Sequence, residues 1–164
     1  MKHWRVSLSM ALMLACLGLS VLPTTGPAHA QSGIVINSAV LSIYEVNISG
    51  QNAYVHLITA PWSETGVTWA SFGNAFDPTA ILSFRTDDIG WIELNVTAQV
   101  QSWVNNPSQN FGLLLEQGLT YFTTFASSES TDVALRPKLD VCFTRDGGPE
   151  TCVTIQRTEN TQHP

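Results

Sequence analysis

The chain is cut into about eight short apolar runs, each followed within a few residues by glycine, proline, asparagine or serine, and this punctuation is the strongest constraint on its fold. The first run, residues 39–46, alternates: Ala39, Leu41 and Ile43 share one face, and Ser42 and Tyr44 share the other. Ser49-Gly50 then turns the chain into a second run, residues 53–59, and Pro61 blocks its continuation. Further short runs lie at 80–84, 91–94, 111–115, 121–126, 139–144 and 151–155. In the 91–94 run, Trp91 and Glu93 oppose Ile92 and Leu94. One helical period is legible: Val96, Val100 and Trp103 sit at i, i+4, i+7. With Thr97 as N-cap, this predicts a short helix over 98–104, ended by Asn105-Asn106-Pro107. The fold class expected is all-β, an antiparallel β-sandwich of jelly-roll type with one short helix.

One stretch stands outside the alternation. In Trp62-Ser63-Glu64-Thr65-Gly66-Val67-Thr68-Trp69, two indoles sit seven residues apart around an acid and a glycine turn. It reads as a structured loop leading into a short strand and pinned by two large aromatics. Residues 70–79, with Gly73, Asn74, Asp77 and Pro78, read as loop. The stretch holds no nucleophile–base pair, so it favours a recognition or scaffold module over an enzyme.

The segment from Met1 to Ala30 reads as a secretory signal. Lys2, His3 and Arg5 form a basic start, residues 6–21 are mostly apolar, and Ala28-His29-Ala30 has the small-x-small form of a cleavage site. Cleavage after Ala30 leaves Gln31 to Pro164, long enough for one domain with its own core. An uncleaved anchor is one alternative, and lipidation at Cys16, in the imperfect lipobox Met13-Leu14-Ala15-Cys16, is another. Residues 31–37 read as a leader, 38–156 as the domain and 157–164 as a flexible tail. Once Lys2 and Arg5 are removed, five basic residues face 13 acidic ones, a formal charge of −8. That balance argues against nucleic acid, whose phosphates need a basic footprint, and against anionic membranes. No second apolar run is long enough to span a membrane.

Two cysteines remain in the exported chain. Cys142 and Cys152 flank Asp146-Gly147-Gly148-Pro149, a strong turn signal, and a hairpin folded there places them nearly opposite each other. An even pair in an exported protein reads as a disulfide.

Six motifs occur in order: Ser38-Ala39-x-Leu41-x-x-Tyr44; Pro61-Trp62-x-Glu64-x-x-Val67-Thr68-Trp69; Val96-Thr97-x-x-Val100-x-x-Trp103; Phe111-Gly112-Leu113-x-Leu115; Ser127-x-Glu129; and Arg136-Pro137-x-Leu139. Together they resemble the DNRLRE domain, a family that overlaps carbohydrate-binding module family 96. The resemblance runs from about Ser38 to Phe143. It implies a β-sandwich of exported, cell-surface and polysaccharide-degrading proteins, some of whose members bind acidic polysaccharides such as alginate. The family pattern has a further block before the Ser-Ala-x-Leu strand. Its absence here predicts an open sheet edge, unless the C-terminal hairpin covers it.

Within that frame the candidate ligand-binding residues are Trp62, Trp91 and Tyr121 as stacking platforms, with Arg85 and Arg136 as cations. Trp69 and Trp103 sit in apolar patterns and are assigned to the core. Lys138 is a further cation. Arg136 has a competing role in a structural ion pair with Glu129 or Glu64. If no basic cluster forms, neutral glycans suit this acidic chain better than acidic ones. Asp87 and Asp88 are weak calcium candidates, because calcium favours several carboxylate and carbonyl oxygens; a solvated turn is the commoner reason for such a pair. No other cofactor or metal is expected. His56 alternates along its strand and His163 lies in the tail, so no catalytic residue is assigned. The expected function is a secreted, non-catalytic module for a polysaccharide or cell-surface glycan. The alternative is a structural or adhesion module of the cell envelope that meets another protein.

Overall fold

The computed structural model describes residues 33–64, 66–118 and 122–158. The predicted signal, Cys16, Tyr121 and the end of the tail lie outside these residues. The elements in order are β1 (Ile34–Asn47), β2 (Asn52–Leu57), α1 (Trp69–Phe72), β3 (Leu82–Arg85), β4 (Gly90–Asn95), α2 (Thr97–Asn105), β5 (Leu113–Gln117), β6 (Thr124–Phe125), β7 (Lys138–Arg145) and β8 (Thr151–Gln156). They form two antiparallel sheets. One runs β4-β1-β7-β8, with β6 also paired to β1, and the other runs β3-β2-β5. The protein is therefore an all-β sandwich.

β1 is the axis of the larger sheet. Its alternation does what the sequence implies: Ala39, Leu41 and Ile43 are buried between the sheets, where they meet Val55, Leu94, Leu139 and Val141. The strand begins at Ile34, inside the stretch read as a leader, because Ile34-Val35-Ile36 pairs with Arg145, Thr144 and Phe143 of β7. A register shift between Ile36 and Ser38 keeps Ile36 and Ala39 both in the core.

α2 completes that strand. β4 pairs with β1 only from Val40 to Glu45, so the earlier residues have no strand on that side. Gln101 takes over there: its Oε1 accepts from the Ile36 amide at 2.8 Å and its Nε2 donates to the Ile34 carbonyl at 3.2 Å. Thr97 Oγ1 accepts from the Ala39 amide at 2.9 Å. Thr97 is the first helical residue and not the N-cap; Val96 holds the cap position, and Asn95 Oδ1 accepts from the Thr97 amide. Threonine serves the neighbouring strand here, and that contact outweighs its capping preference. Val100 is buried, and Trp103 and Val104 pack beside it against the core.

The C-terminal hairpin forms the other end of the larger sheet. β8 lies against β7 with Cys142 opposite Cys152, and the two cysteines form a disulfide. β7 is thus paired on both sides, and the larger sheet ends in β4 and β8, which pair with no further strand among the described residues.

The Trp62–Trp69 stretch departs from expectation in one respect. A second helix, α1, starts at Trp69 where a strand was expected. Thr68 and Ser71 form a reciprocal capping box, and Gly73 ends the turn at φ 61°. The local hydrogen-bonding pattern of threonine and serine overrides the β-branched pair before it. Trp62, Val67, Trp69, Phe76 and Phe111 pack around buried Ile58, Phe72 and Leu114, forming a second cluster on the outer face of the smaller sheet.

Candidate functional site

Where β4, β1, β7 and β8 lie side by side, residues out of phase with the core face outward in rows. One row is Glu93, Ser42, Lys138 and Gln156; the next is Asn95, Val40, Asp140 and Thr154. Ser42 is itself buried within its row. Trp91 and Tyr44 stand opposite each other on β4 and β1 and add an aromatic corner. Their rings meet edge to face, with centroids 5.4 Å apart at 82°. Trp91 remains 42% exposed. Lys138 Nζ lies 5.6 Å from the Trp91 ring centroid and 3.6 Å from an Asp140 carboxylate oxygen. Thr154 Oγ1 donates to the other Asp140 oxygen. The result is a flat face with an exposed indole, one ammonium donor and two carboxylate acceptors. It can stack on an apolar ring face and hydrogen-bond the hydroxyls around it.

The remaining predicted site residues lie elsewhere. Trp62 is on the outer side of the other sheet, and its Nε1 donates to the Phe111 carbonyl at 2.9 Å. Its ring is half-buried in the second cluster. Arg85 ends β3; its Nε donates to Asp87 at 2.8 Å, and Nη2 donates to Asp87 and to the Gly50 carbonyl. The Asp87 hydrogen bond raises the Arg85 pKa, and the same bond holds the Asp87 carboxyl below its usual range. Arg136 is fully buried, with Nε donating to the Ser130 carbonyl at 2.9 Å and Nη1 to the Arg157 carbonyl at 3.1 Å. Glu129, weighed as its partner, forms an ion pair with Arg157 at 3.2 Å. Trp91 is thus the one predicted platform within the Lys138–Asp140 face among the described residues. Asp88 is exposed beside Asp87. Among the described residues, the one group of three acid, cysteine or histidine ligand atoms close enough to share a metal is Cys142, Glu150 and Cys152, whose two thiols are spent in the disulfide.

His56 and Glu45 are both buried titratable side chains. His56 is buried on β2, edge-on to Phe76. Its Nδ1 donates to the Asp77 carbonyl at 2.8 Å, and Nε2 lies 3.1 Å from Glu116 Oε2. The imidazole thus ties the loop over the smaller sheet. Glu45, the inward residue after Ile43, is fully buried, and neither carboxylate oxygen has a hydrogen-bond partner. Burial pushes its pKa up, and the charges of Asp87 and Asp88 add to the shift.

Tyr44 was visible only as an outward residue of the first run, and Lys138 only as a cation. What brings both to Trp91 is strand register: Tyr44 pairs with Trp91, and Ser42 lies between Glu93 and Lys138.

An antiparallel sandwich that presents an aromatic and polar flat face has the make-up of a glycan-recognition module. The sequence profile of carbohydrate-binding module family 96 matches residues 28–142, well over half of the chain, and the protein belongs to that family. The match stops at Cys142, so β8 and the second cysteine lie beyond it. Neither the curated proteins nor the solved structures contain a significant match to this chain.

Proposed function

We propose that this protein is a secreted, non-catalytic module that binds polysaccharide or cell-surface glycan through the outer face of its larger sheet. The observation that carries the assignment is Trp91. A large indole stands 42% exposed on a regular strand, flanked by Tyr44, Lys138, Glu93 and Asp140, in a member of a carbohydrate-binding family. Stacking an indole on the C–H face of a pyranose removes apolar surface from water, and the polar neighbours fix orientation. The site is a platform, so it suits an extended chain.

The basic, apolar and small-x-small order of residues 1–30 supports export, and the Cys142–Cys152 disulfide suits an oxidising compartment. Among the described residues, no helix is long and apolar enough to cross a membrane.

Glycan-array binding by the purified exported chain tests the assignment. Saturable binding that Trp91→Ala weakens about tenfold, with circular dichroism unchanged, is the expected result. Binding that survives Trp91→Ala and is lost in Trp62→Ala would move the site to the other sheet. N-terminal sequencing of the exported protein is expected to begin at Gln31; retention of the segment from Met1 to Ala30 would contradict the secretion reading.

A further inference from the structure

We infer that the ligand of the Trp91 face is an uncharged glycan. This rests on the carbohydrate-binding reading above and narrows its ligand class. An acidic polysaccharide carries a carboxylate or sulfate at short, regular intervals, so its recognition needs several cations on one surface. The described residues include five: Arg85, Arg136, Lys138, Arg145 and Arg157. Arg136 is fully buried. Arg85 lies on the other sheet and is held by Asp87 and the Gly50 carbonyl. Arg157 follows β8 and faces Glu129 at 3.2 Å. Arg145 is seven positions from Lys138 along β7, in phase with the core residues Leu139 and Val141, which places it roughly 23 Å away at the other end of the strand.

Lys138 is therefore the one cation on this face, and it is shared already. Its ammonium sits between the Trp91 ring and Asp140. Glu93 is on the same row of the sheet through Ser42, and Asp140 is on the next. The face carries two carboxylates against one ammonium, on a chain whose formal net charge is −6. A polyanion stacked on Trp91 would meet like charge from both carboxylates, one and two rows along the sheet.

An uncharged polyhydroxyl chain fits the same groups well. Its hydroxyls donate to Glu93 and Asp140, and its oxygens accept from Lys138. Each such bond has one ionised partner, which makes it stronger than a neutral hydrogen bond. Binding of this kind also depends little on salt, because no net charge is neutralised.

The test is affinity electrophoresis and calorimetry of the whole exported protein against two panels. One contains uncharged β-glucans, mannans and xylans; the other contains polyuronates and sulfated polymers. Binding to an uncharged polymer that changes less than about twofold between low and roughly 0.5 M salt is expected, with about tenfold loss in Trp91→Ala. The double variant Glu93→Gln, Asp140→Asn is expected to weaken that binding and to gain measurable affinity for polyuronates. Wild-type binding confined to polyuronates, falling steeply with salt and lost in Lys138→Met, would overturn this inference while leaving the carbohydrate-binding assignment standing. Absence of binding to both panels by a folded, disulfide-intact protein would overturn the assignment itself, and this inference with it.

Discussion

Replacing Glu45 by methionine is expected to stabilise the protein, and the gain should grow with pH. Glu45 is fully buried, and both its carboxylate oxygens lack a partner. It occupies an inward position, in register with Gly90 on β4 and Phe125 on β6. Its pKa is raised from the ordinary value of 4.5, first by desolvation and then by Asp87 and Asp88. A carboxyl whose folded pKa lies above its unfolded one contributes no penalty below the unfolded value, where it is neutral in both states. The penalty develops as pH rises from the unfolded value through the folded one and is complete above the latter. An unsatisfied buried polar group costs about 1–3 kcal/mol, and methionine has a similar length with no charge to desolvate. Glu45→Met should therefore gain about 1–3 kcal/mol near neutral pH, or roughly 3–6 °C in Tm per kcal/mol for a domain of this size. Urea unfolding followed by tryptophan fluorescence, at several pH values from about 4 to 8, gives the difference curve directly. A small difference in acid that widens toward neutrality is the expected form. A pH-independent difference would refute the electrostatic account. A destabilised variant at neutral pH would show that the carboxylate has a favourable partner in solution, such as a cation.

Three further outcomes follow from the same contacts. Arg136→Leu is expected to cost about 2–4 kcal/mol in denaturant unfolding, because it strands the Ser130 and Arg157 carbonyls; Arg136→Lys should restore little, since one ammonium cannot reproduce the planar fork. Gln101→Ala should cost about 1–2 kcal/mol and speed hydrogen exchange at the Ile36 amide while leaving the β7–β8 amides protected. Cys152→Ser should lower stability by about 2–3 kcal/mol, in the lower part of the usual range because the closed loop is short, without abolishing glycan binding.

Strand positions were legible because strand periodicity is local. Ala39, Leu41 and Ile43 announce a buried face within a few residues of sequence, and each of the eight apolar runs became or overlapped a strand. The hairpin disulfide was equally legible, since its turn and both cysteines lie within 10 positions. The roles of Thr97, Gln101 and Arg136 were not. Thr97 and Gln101 bond to residues 58, 65 and 67 positions away. Arg136 is consumed by carbonyls of two chain segments that converge only after β8 has docked on β7. Such contacts have no local signature. The helix at Trp69 did carry one, Thr68-x-x-Ser71, but a four-residue helix leaves too short a period to stand out against the aromatic and β-branched residues around it.

The two candidate tryptophans separate for a reason that applies to sandwiches generally. A residue on a regular strand has a phase. Because Ile92 packs against the core and Leu94 is buried, Trp91 must point away from it, and covering its ring would require another element to cross that face. A tryptophan in a connecting segment has no phase. Trp62 is free to fold back onto the nearest apolar surface, which Ile58, Phe72 and Leu114 supply, and its indole N–H finds the Phe111 carbonyl. The hydrophobic effect acts on both residues alike, but only the loop has the freedom to respond to it. An exposed indole on a strand is held there by the burial of its neighbours, at no further cost in order, and so it remains available as a rigid platform. This places the proposed carbohydrate-binding face on β4 and β1 and gives the Trp62–Trp69 stretch the task of building the opposite side of the fold.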